Sequence, residues 1–181
     1  MRFKPLSESE LSAEQKVVYR KIADGPRGGV RGPFDPLLRC PELCDRAQRL
    51  GEFCRYHSSL APVLSEFAII VTARYWRAQY EFFAHARMAR AAGVSDAIVE
   101  AVRTGTEPPL EDERHRAIYA FVTEYFATHR VADATYERAI AALGERGVVD
   151  LVGIVGYYSL VSLTLNVFEV ALPDGEADPL P

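Results

Sequence analysis

The sequence has little of several things that would point to a particular function. It has only three cysteines in 181 residues, an odd number and too few for a disulfide scaffold. It has 21 Lys and Arg residues and 25 Asp and Glu residues, which give a formal net charge of −4, and it contains no basic block. Because binding to nucleic-acid phosphates needs clustered basic residues, we expect no nucleic-acid partner. A GxSxG elbow, a Walker A loop and a GxGxxG motif after a strand are also missing, so nucleotide-dependent chemistry has no visible site.

Signals for export and membrane insertion are weak. The first residues, MRFKPLSESELSAEQ, contain no apolar run and no cleavage-like site. We therefore expect a cytoplasmic protein with reduced thiols. The uncharged stretch from Leu151 to Phe168 is near the lower limit for a membrane span, but it carries several hydroxyl side chains and is flanked by Asp150 and Glu169. We expect it to be a helix buried in the core or at a subunit interface, and we expect no membrane partner.

The apolar residues recur at helical spacing, whereas no alternating run is long enough for a convincing strand. The pattern predicts a single all-α domain of about seven or eight helices. A loop rich in glycine and proline is predicted from Gly25 to Pro36, where Phe34 and the arginines could reach a ligand; a flexible linker is the alternative. The helices are expected near residues 12–24, 41–58, 62–76 (with Ser65 as an alternative start), 77–93, 95–103, 111–129, 133–144 and 148–170.

The fourth of these helices carries a pattern typical of proton transfer. Ala78, Glu81 and His85 follow i, i+3, i+7 spacing and share a helix face. A carboxylate one turn from an imidazole raises the imidazole pKa and orients the ring, which suits a general acid or base. An exposed Glu–His pair on the helix surface is the simpler interpretation.

The spacing Glu66-x11-Ala78-x2-Glu81-x3-His85, followed by A-R-x-A-G-V-S-D-A-I-V-E-A-V, resembles the carboxymuconolactone decarboxylase and alkylhydroperoxidase D superfamily. The stretch Tyr80-Glu81-Phe82-x2-His85 is similar to the YEW-x2-H signature of its cysteine-free members. The similarity is clearest over residues 62–103. It implies an all-α, alkylhydroperoxidase D-like helical bundle over residues 1–181, with an N-terminal extension and loop at 1–40 and a tail at 174–181. It also implies a homo-oligomer, either a dimer, a trimer or a hexamer.

The sequence departs from the peroxidase branch at the residues that matter most. That branch uses a CxxC, and the matching positions here are Ala78 and Glu81. Peroxide reduction needs one thiolate to attack and a second thiol to resolve, so the thiol mechanism is not expected. The decarboxylase branch implies instead a cofactor-free lyase or proton-transfer enzyme acting on a small carboxylated lactone or cyclic acid. His85 is then the proton donor or base, Glu66 orients it or polarises the substrate, and Glu81 sets its tautomer.

An anionic small-molecule substrate needs a cation nearby. We expect Arg74, which lies just before this helix, and Arg31 in the N-terminal loop to bind it, with Arg27 as a further candidate. Tyr80 and Tyr157 are expected to line the pocket, although both could be packing residues. A non-catalytic small-molecule-binding oligomer, or a peroxidase relative that has lost its CxxC, remains the alternative.

The cysteines raise two further possibilities. Cys40, Cys44, Cys54 and His57 form C-x3-C-x9-C-x2-H, four ligand types that suit zinc. A continuous helix would hold Cys54 about 15 Å from Cys44, so we expect no metal site and no metal or organic cofactor. The pair Cys40 and Cys44 is one helical turn apart, but we expect these residues to pack as small apolar side chains rather than to act in redox chemistry.

Overall fold

The computed structural model describes residues 2–181, and all the regular secondary structure among them is helical. A 3-10 turn at Glu8–Glu10 precedes the helices, and a π-helical segment, Phe53–His57, continues the third one. The helices are α1 (Ala13–Ala23), α2 (Phe34–Leu37), α3 (Pro41–Glu52), α4 (Pro62–Tyr75), α5 (Gln79–Ala91), α6 (Asp96–Thr104), α7 (Glu113–Thr128) and α8 (Asp133–Val167). The predicted all-α fold is confirmed.

Helix α4 lies at the centre of the main core. Pro62 occupies its first turn, where the missing N–H costs no hydrogen bond. Every residue from Leu64 to Ala73 is buried, because α4 packs against α5, α6, α7 and α8. A helix that is apolar on all sides is stable only when it is surrounded in this way. The one carboxylate in that stretch, Glu66, is thus carried into the interior by its neighbours.

A tight turn joins α4 to α5 and sets the direction of the second helix. Arg77 adopts a left-handed backbone with φ 50°, and Ala78 follows it as the N-cap, fully buried. Helix α5 then runs back along α4 and also contacts α6 and α8. This antiparallel arrangement places the inner face of α5 opposite the middle of α4.

The long helix α8 is bent. At Gly144 the backbone is non-helical, with φ 74° and ψ 166°, a conformation that a residue with a Cβ rarely adopts. The sequence predicts two helices here, separated near Gly144. The structure has the interruption at Gly144, but the helix continues directly after it without a loop. By length and composition alone α8 is long enough to cross a membrane, but 61% of its most apolar window is buried inside the protein. It therefore packs as a core helix.

The N-terminal part forms a second, smaller core. The predicted capping box is present, since Ser12 Oγ accepts from Gln15 N at 3.2 Å and Gln15 Oε1 accepts from Ser12 N at 2.9 Å. Two predicted boundaries are wrong. The loop ends at Pro33 rather than Pro36, because Phe34 is buried and begins α2. The helix predicted over 41–58 is α-helical only to Glu52.

The C-terminal segment is folded onto the helices rather than left as a tail. Leu180 is 4% exposed and belongs to the main core. Its N–H donates to Gln79 Oε1 at 2.8 Å, and its carbonyl accepts from Gln79 Nε2 at 3.1 Å. The Arg103 guanidinium also donates to the carbonyl of Pro179 at 3.0 Å. The last residues, Pro179 and Leu180, are thus anchored beside the start of α5, whereas residues 174–178 are exposed.

Candidate active site

His85 is held between two carboxylates. Its Nδ1 lies 2.6 Å from Glu66 Oε2 on α4, and its Nε2 lies 3.0 Å from Glu81 Oε1 on α5. All three residues are buried, with exposed fractions of 5%, 7% and 3% for His85, Glu66 and Glu81. The structure therefore brings the three predicted catalytic residues together, and the alternative of an exposed Glu–His pair does not hold.

This arrangement favours the charged imidazole. Burial by itself lowers the pKa of His85, but the attraction of Glu66 and Glu81 and their hydrogen bonds outweigh it and raise the pKa to about 9. At neutral pH the ring is therefore an imidazolium, and each of its N–H groups donates to one carboxylate. The charged imidazole cancels one of the two carboxylate charges, so that the trio carries a net charge of −1, whereas a neutral imidazole would leave −2.

A cavity of about 540 Å³ lies beside the trio. Glu81 and His85 border it, whereas Glu66 does not and lies behind the imidazole. Glu81 and His85 are therefore the two members of the trio that a molecule in the cavity can touch. The predicted substrate-binding residues Tyr80 and Tyr157 border the same cavity.

Four arginines also line this cavity, and we call them the cavity arginines: Arg27, Arg31, Arg55 and Arg87. None has a carboxylate within 4.0 Å among residues 2–181, although many other arginines of the chain do. Three of them lie over an aromatic ring instead, at 5.0 to 5.6 Å from the ring centroid. Four cations without acidic partners give the cavity a positive wall suited to an anion.

Arg31 is thus found where the sequence predicts it, with Arg27 beside it, and Arg31 Nη2 donates to the Arg27 carbonyl at 3.2 Å. Sequence reasoning missed Arg55 and Arg87. Arg87 is seven residues beyond the predicted cavity residue Tyr80 on the same helix, and this shared helix face was a signal that could have been used. Arg55 is brought in by the π-helical segment, which no spacing rule places near α5.

Arg74, predicted to bind the substrate, does not reach this cavity. It is eight residues beyond Glu66 on α4, which is about 12 Å along the helix axis. Its Nε donates to the Arg103 carbonyl at 3.0 Å, and its side chain lines a separate cavity of about 210 Å³ between α4, α6 and α7. The prediction failed because it relied on nearness to α5 in sequence and ignored the direction of the α4 axis.

Tyr158 is a further cavity residue that the sequence analysis did not single out. Its ring meets the His85 ring edge-on, with centroids 4.9 Å apart and an interplanar angle of 79°. Tyr157 and Tyr158 are 4% and 2% exposed, and both border the cavity. Burial raises the pKa of each phenol above its usual range, so both are neutral hydrogen-bond donors at physiological pH.

The three cysteines are all free thiols. Burial raises the pKa of the Cys44 thiol to about 12 and that of Cys54 to about 11, so neither is a reactive thiolate at neutral pH. Cys40 is exposed. Among residues 2–181, no three His, Cys, Asp or Glu side chains are grouped so as to hold a metal ion. The carboxylates around His85 approach opposite ring nitrogens and do not converge on one point.

Comparisons with known proteins were informative only at the level of structure, since no protein-family model and no curated protein matches the sequence. The first of three similar solved structures is a peroxidase-related protein from Ralstonia eutropha JMP134, described as an alkylhydroperoxidase AhpD core. It superimposes with a TM-score of 0.78 at 17% identity, covering 96% of this chain and 92% of that one. The chain has the alkylhydroperoxidase D-like fold.

Two other structures with this fold extend the comparison. A peroxidase-related protein from Silicibacter sp. TM1040 matches with a TM-score of 0.74 at 14% identity, over 96% of this chain and 92% of that one. A debrominase, solved in complex with 2,3,4-tribromopyrrole, matches with a TM-score of 0.72 at 16% identity, over 97% of this chain and 91% of that one. The alkylhydroperoxidase D-like fold therefore includes enzymes, and at these identities the matches establish the architecture and not the reaction.

Proposed function

We propose that the protein is a cofactor-free lyase or proton-transfer enzyme that acts on a small carboxylated lactone or cyclic acid. The observation that carries the proposal is the buried Glu66–His85–Glu81 trio, of which Glu81 and His85 border a cavity lined by arginines without acidic partners. The His85 imidazolium and the cavity arginines beside it supply the two things that such a reaction requires. One is a hold on the substrate carboxylate, and the other is a proton source at carbon.

We propose a role for each member of the trio and for the arginines around it. The cavity arginines bind the substrate carboxylate. When the C–C bond to the departing carboxylate breaks, CO2 leaves. The electron pair of that bond stays behind and enters the conjugated system of the lactone. The carbon is then protonated by the acid that borders the cavity, His85 acting directly or through Glu81, and the trio recovers its proton from water. Glu66 stays on Nδ1 throughout and stabilises the imidazolium.

Chemistry based on thiols is not supported at this site. Ala78 is fully buried, and Glu81 has a carboxylate where the peroxidase branch resembled above has a thiol. The buried cysteines, Cys44 on α3 and Cys54 on the π-helical segment, are held protonated because burial raises the pKa of each thiol.

The experiment that tests the function is turnover of 4-carboxymuconolactone, followed by loss of ultraviolet absorbance. We expect wild type to turn over and His85→Gln to lose at least about 100-fold in kcat, since a positioned acid contributes on this scale. His57→Gln, an exposed histidine on the π-helical segment, is the matched control and should behave as wild type. Equal turnover by wild type and His85→Gln would contradict the proposal.

A non-catalytic small-molecule-binding protein is the second candidate. It is favoured by one observation, that both nitrogens of His85 are already occupied by carboxylates. In that case the trio would be a structural charge cluster, and calorimetry would show tight binding of an anionic ligand without turnover. His85→Gln would then bind the ligand as wild type does.

The proposed enzyme is a homo-oligomer in the cytoplasm. Helix α8 supports the homo-oligomer, because it carries a row of apolar side chains that the single chain leaves between 43% and 69% exposed: Val149, Val152, Leu163 and Val167. Rows of this kind are usually covered by another subunit. Sedimentation equilibrium tests the assembly, and a monomer at micromolar concentration would contradict it.

A further inference from the structure

Tyr158 has a hydroxyl group that forms no hydrogen bond with the described part of the chain. Among residues 2–181 the Tyr158 hydroxyl makes no hydrogen bond, although the side chain is 2% exposed. By contrast, the buried Thr72 Oγ1 donates to the Ala68 carbonyl at 2.8 Å, and the Tyr75 hydroxyl donates to the Phe126 carbonyl at 3.3 Å. A buried polar group without a partner is unfavourable, so its retention requires an explanation.

The hydroxyl is also not sealed in the core. Two other unpartnered polar atoms, His115 Nε2 and Ser162 Oγ, are completely enclosed by protein, whereas the Tyr158 oxygen is not among the enclosed atoms. Tyr158 borders the 540 Å³ cavity together with Glu81 and His85. Its free hydrogen-bonding capacity is therefore available to a molecule bound in that cavity.

The phenol keeps its proton there. Burial, followed by the negative charges of Glu81 and Glu66, raises the pKa of Tyr158 well above its usual range. A neutral phenol next to a carboxylate acid–base group is a donor that does not compete for the transferred proton. The ring is also fixed, because it packs edge-on against His85 and Tyr157.

We propose that the Tyr158 hydroxyl is a catalytic hydrogen-bond donor to the substrate oxygen that gains negative charge as an enolate forms. This rests on the proposed function and extends it, since the trio handles the proton at carbon and Tyr158 handles the charge at oxygen. As the bond to the carboxylate breaks, the electron pair of that bond moves through the conjugated system to the carbonyl oxygen of the lactone, which accepts the hydrogen bond. Tyr158 gives up no proton. When the carbon is protonated, the oxygen returns its charge and the carbonyl re-forms.

Tyr157 does not offer the same hydroxyl. No side chain fits at Gly51 on α3, because the Tyr157 hydroxyl occupies the place where a Cβ would lie. Its hydroxyl is therefore directed at the α3 backbone, while the Tyr158 ring lies against His85. The two adjacent tyrosines therefore have different neighbours, and Tyr158 is the one whose ring packs against His85.

The test has two readouts, of which only one depends on turnover. The first is kcat for 4-carboxymuconolactone in wild type, Tyr158→Phe and Tyr119→Phe, the last a tyrosine of the separate 210 Å³ cavity. We expect Tyr158→Phe to lose about 100-fold in kcat with little change in KM, as is typical for removal of one donor to a developing oxyanion. Tyr119→Phe should match wild type. A loss in Tyr158→Phe of less than threefold, in a wild type that turns over, overturns the inference and leaves the proposed function standing.

The second readout uses 4-hydroxy-3-nitrobenzoate, an anion whose ring phenolate absorbs visible light. Wild type should bind its phenolate form and lower the pKa of the bound phenol, and Tyr158→Phe should bind it with a pKa at least one unit higher. Identical titrations in the two proteins, or no binding to wild type at millimolar concentration, overturn the inference. If wild type fails to turn over the lactone but the titrations differ as expected, the proposed function fails and the donor role of Tyr158 stands.

Folding of the variant is a further check. Removing an unpartnered hydroxyl should leave the thermal midpoint of Tyr158→Phe equal to or above that of wild type. A lower midpoint together with unchanged phenol titration would show a structural role and overturn the inference. If Tyr158→Phe fails to fold, Tyr158→Met removes the same hydroxyl with a side chain that adapts to the space.

Discussion

Glu81 Oε1 lies 3.0 Å from His85 Nε2, and these two residues are one turn apart on α5. Both residues of this pair border the cavity, while the opposite ring nitrogen of His85 lies against Glu66 from another helix. The imidazolium is thus built into the interior as the middle of three charges. Removing either carboxylate leaves a buried cation with half of its compensation.

The stability of the protein should depend on pH through His85. Its pKa in the folded state, about 9, lies above the ordinary value of 6.5. A raised folded pKa contributes stability that is fully present below about pH 6.5 and is lost as the pH rises through about 9. We expect the free energy of unfolding to fall across this window by on the order of 3 kcal/mol. Urea unfolding at pH 6, 7.5 and 9.5 measures it, with His85→Gln as reference because this variant lacks the titrating group. Parallel curves for the two proteins would contradict the prediction.

Neutralising a cavity arginine should weaken substrate binding more than it slows chemistry. We expect Arg87→Gln and Arg55→Gln each to raise KM about tenfold or more, since a hydrogen bond to a charged group is worth about 1.5–3 kcal/mol. Arg74→Gln removes the same charge from the separate cavity and serves as the matched control. Steady-state kinetics at two ionic strengths check this. The prediction fails if Arg74→Gln raises KM as much as the cavity variants do.

Two glycines should respond in opposite ways to alanine. Gly51→Ala places a methyl group where the Tyr157 hydroxyl lies, and we expect a loss of about 1–3 kcal/mol in the free energy of unfolding. At Gly156 on α8 a Cβ meets no atom within 4 Å, so Gly156→Ala should gain up to about 1 kcal/mol from helix propensity. Urea unfolding of both variants gives the comparison. Equal effects of the same sign would show that the close approach at Gly51 is unimportant.

Alkylation should label one thiol and leave activity intact. Cys40 is exposed, whereas Cys44 and Cys54 are buried with raised pKa values, so native protein should take up one equivalent of iodoacetamide. Mass spectrometry counts the label and the lactone assay measures the activity. Loss of turnover on labelling would favour a peroxidase relative that uses its remaining cysteines.

Much of the local structure could be predicted from the sequence because it depends on neighbours in the chain. The Ser12 capping box and the break at Gly144 are local effects of side-chain hydrogen bonding and backbone freedom. The shared face of Glu81 and His85 follows from helical periodicity alone. The candidate site was harder to predict from the sequence. Glu66 was assigned through a family resemblance, since nothing in local spacing joins it to His85 nineteen residues later.

By itself, the sequence determined the all-α fold, the absence of a thiol pair on α5 and the pairing of Glu81 with His85. These follow from periodicity, residue type and one-turn spacing. Only the tertiary structure decided which cations face the trio, bringing in Arg55 and Arg87 and leaving Arg74 about 12 Å along the α4 axis. It also decided that the unpartnered Tyr158 hydroxyl meets the cavity. These contacts join helices that are far apart in sequence, and they are set by how α4, α5 and α8 pack, which no local pattern specifies.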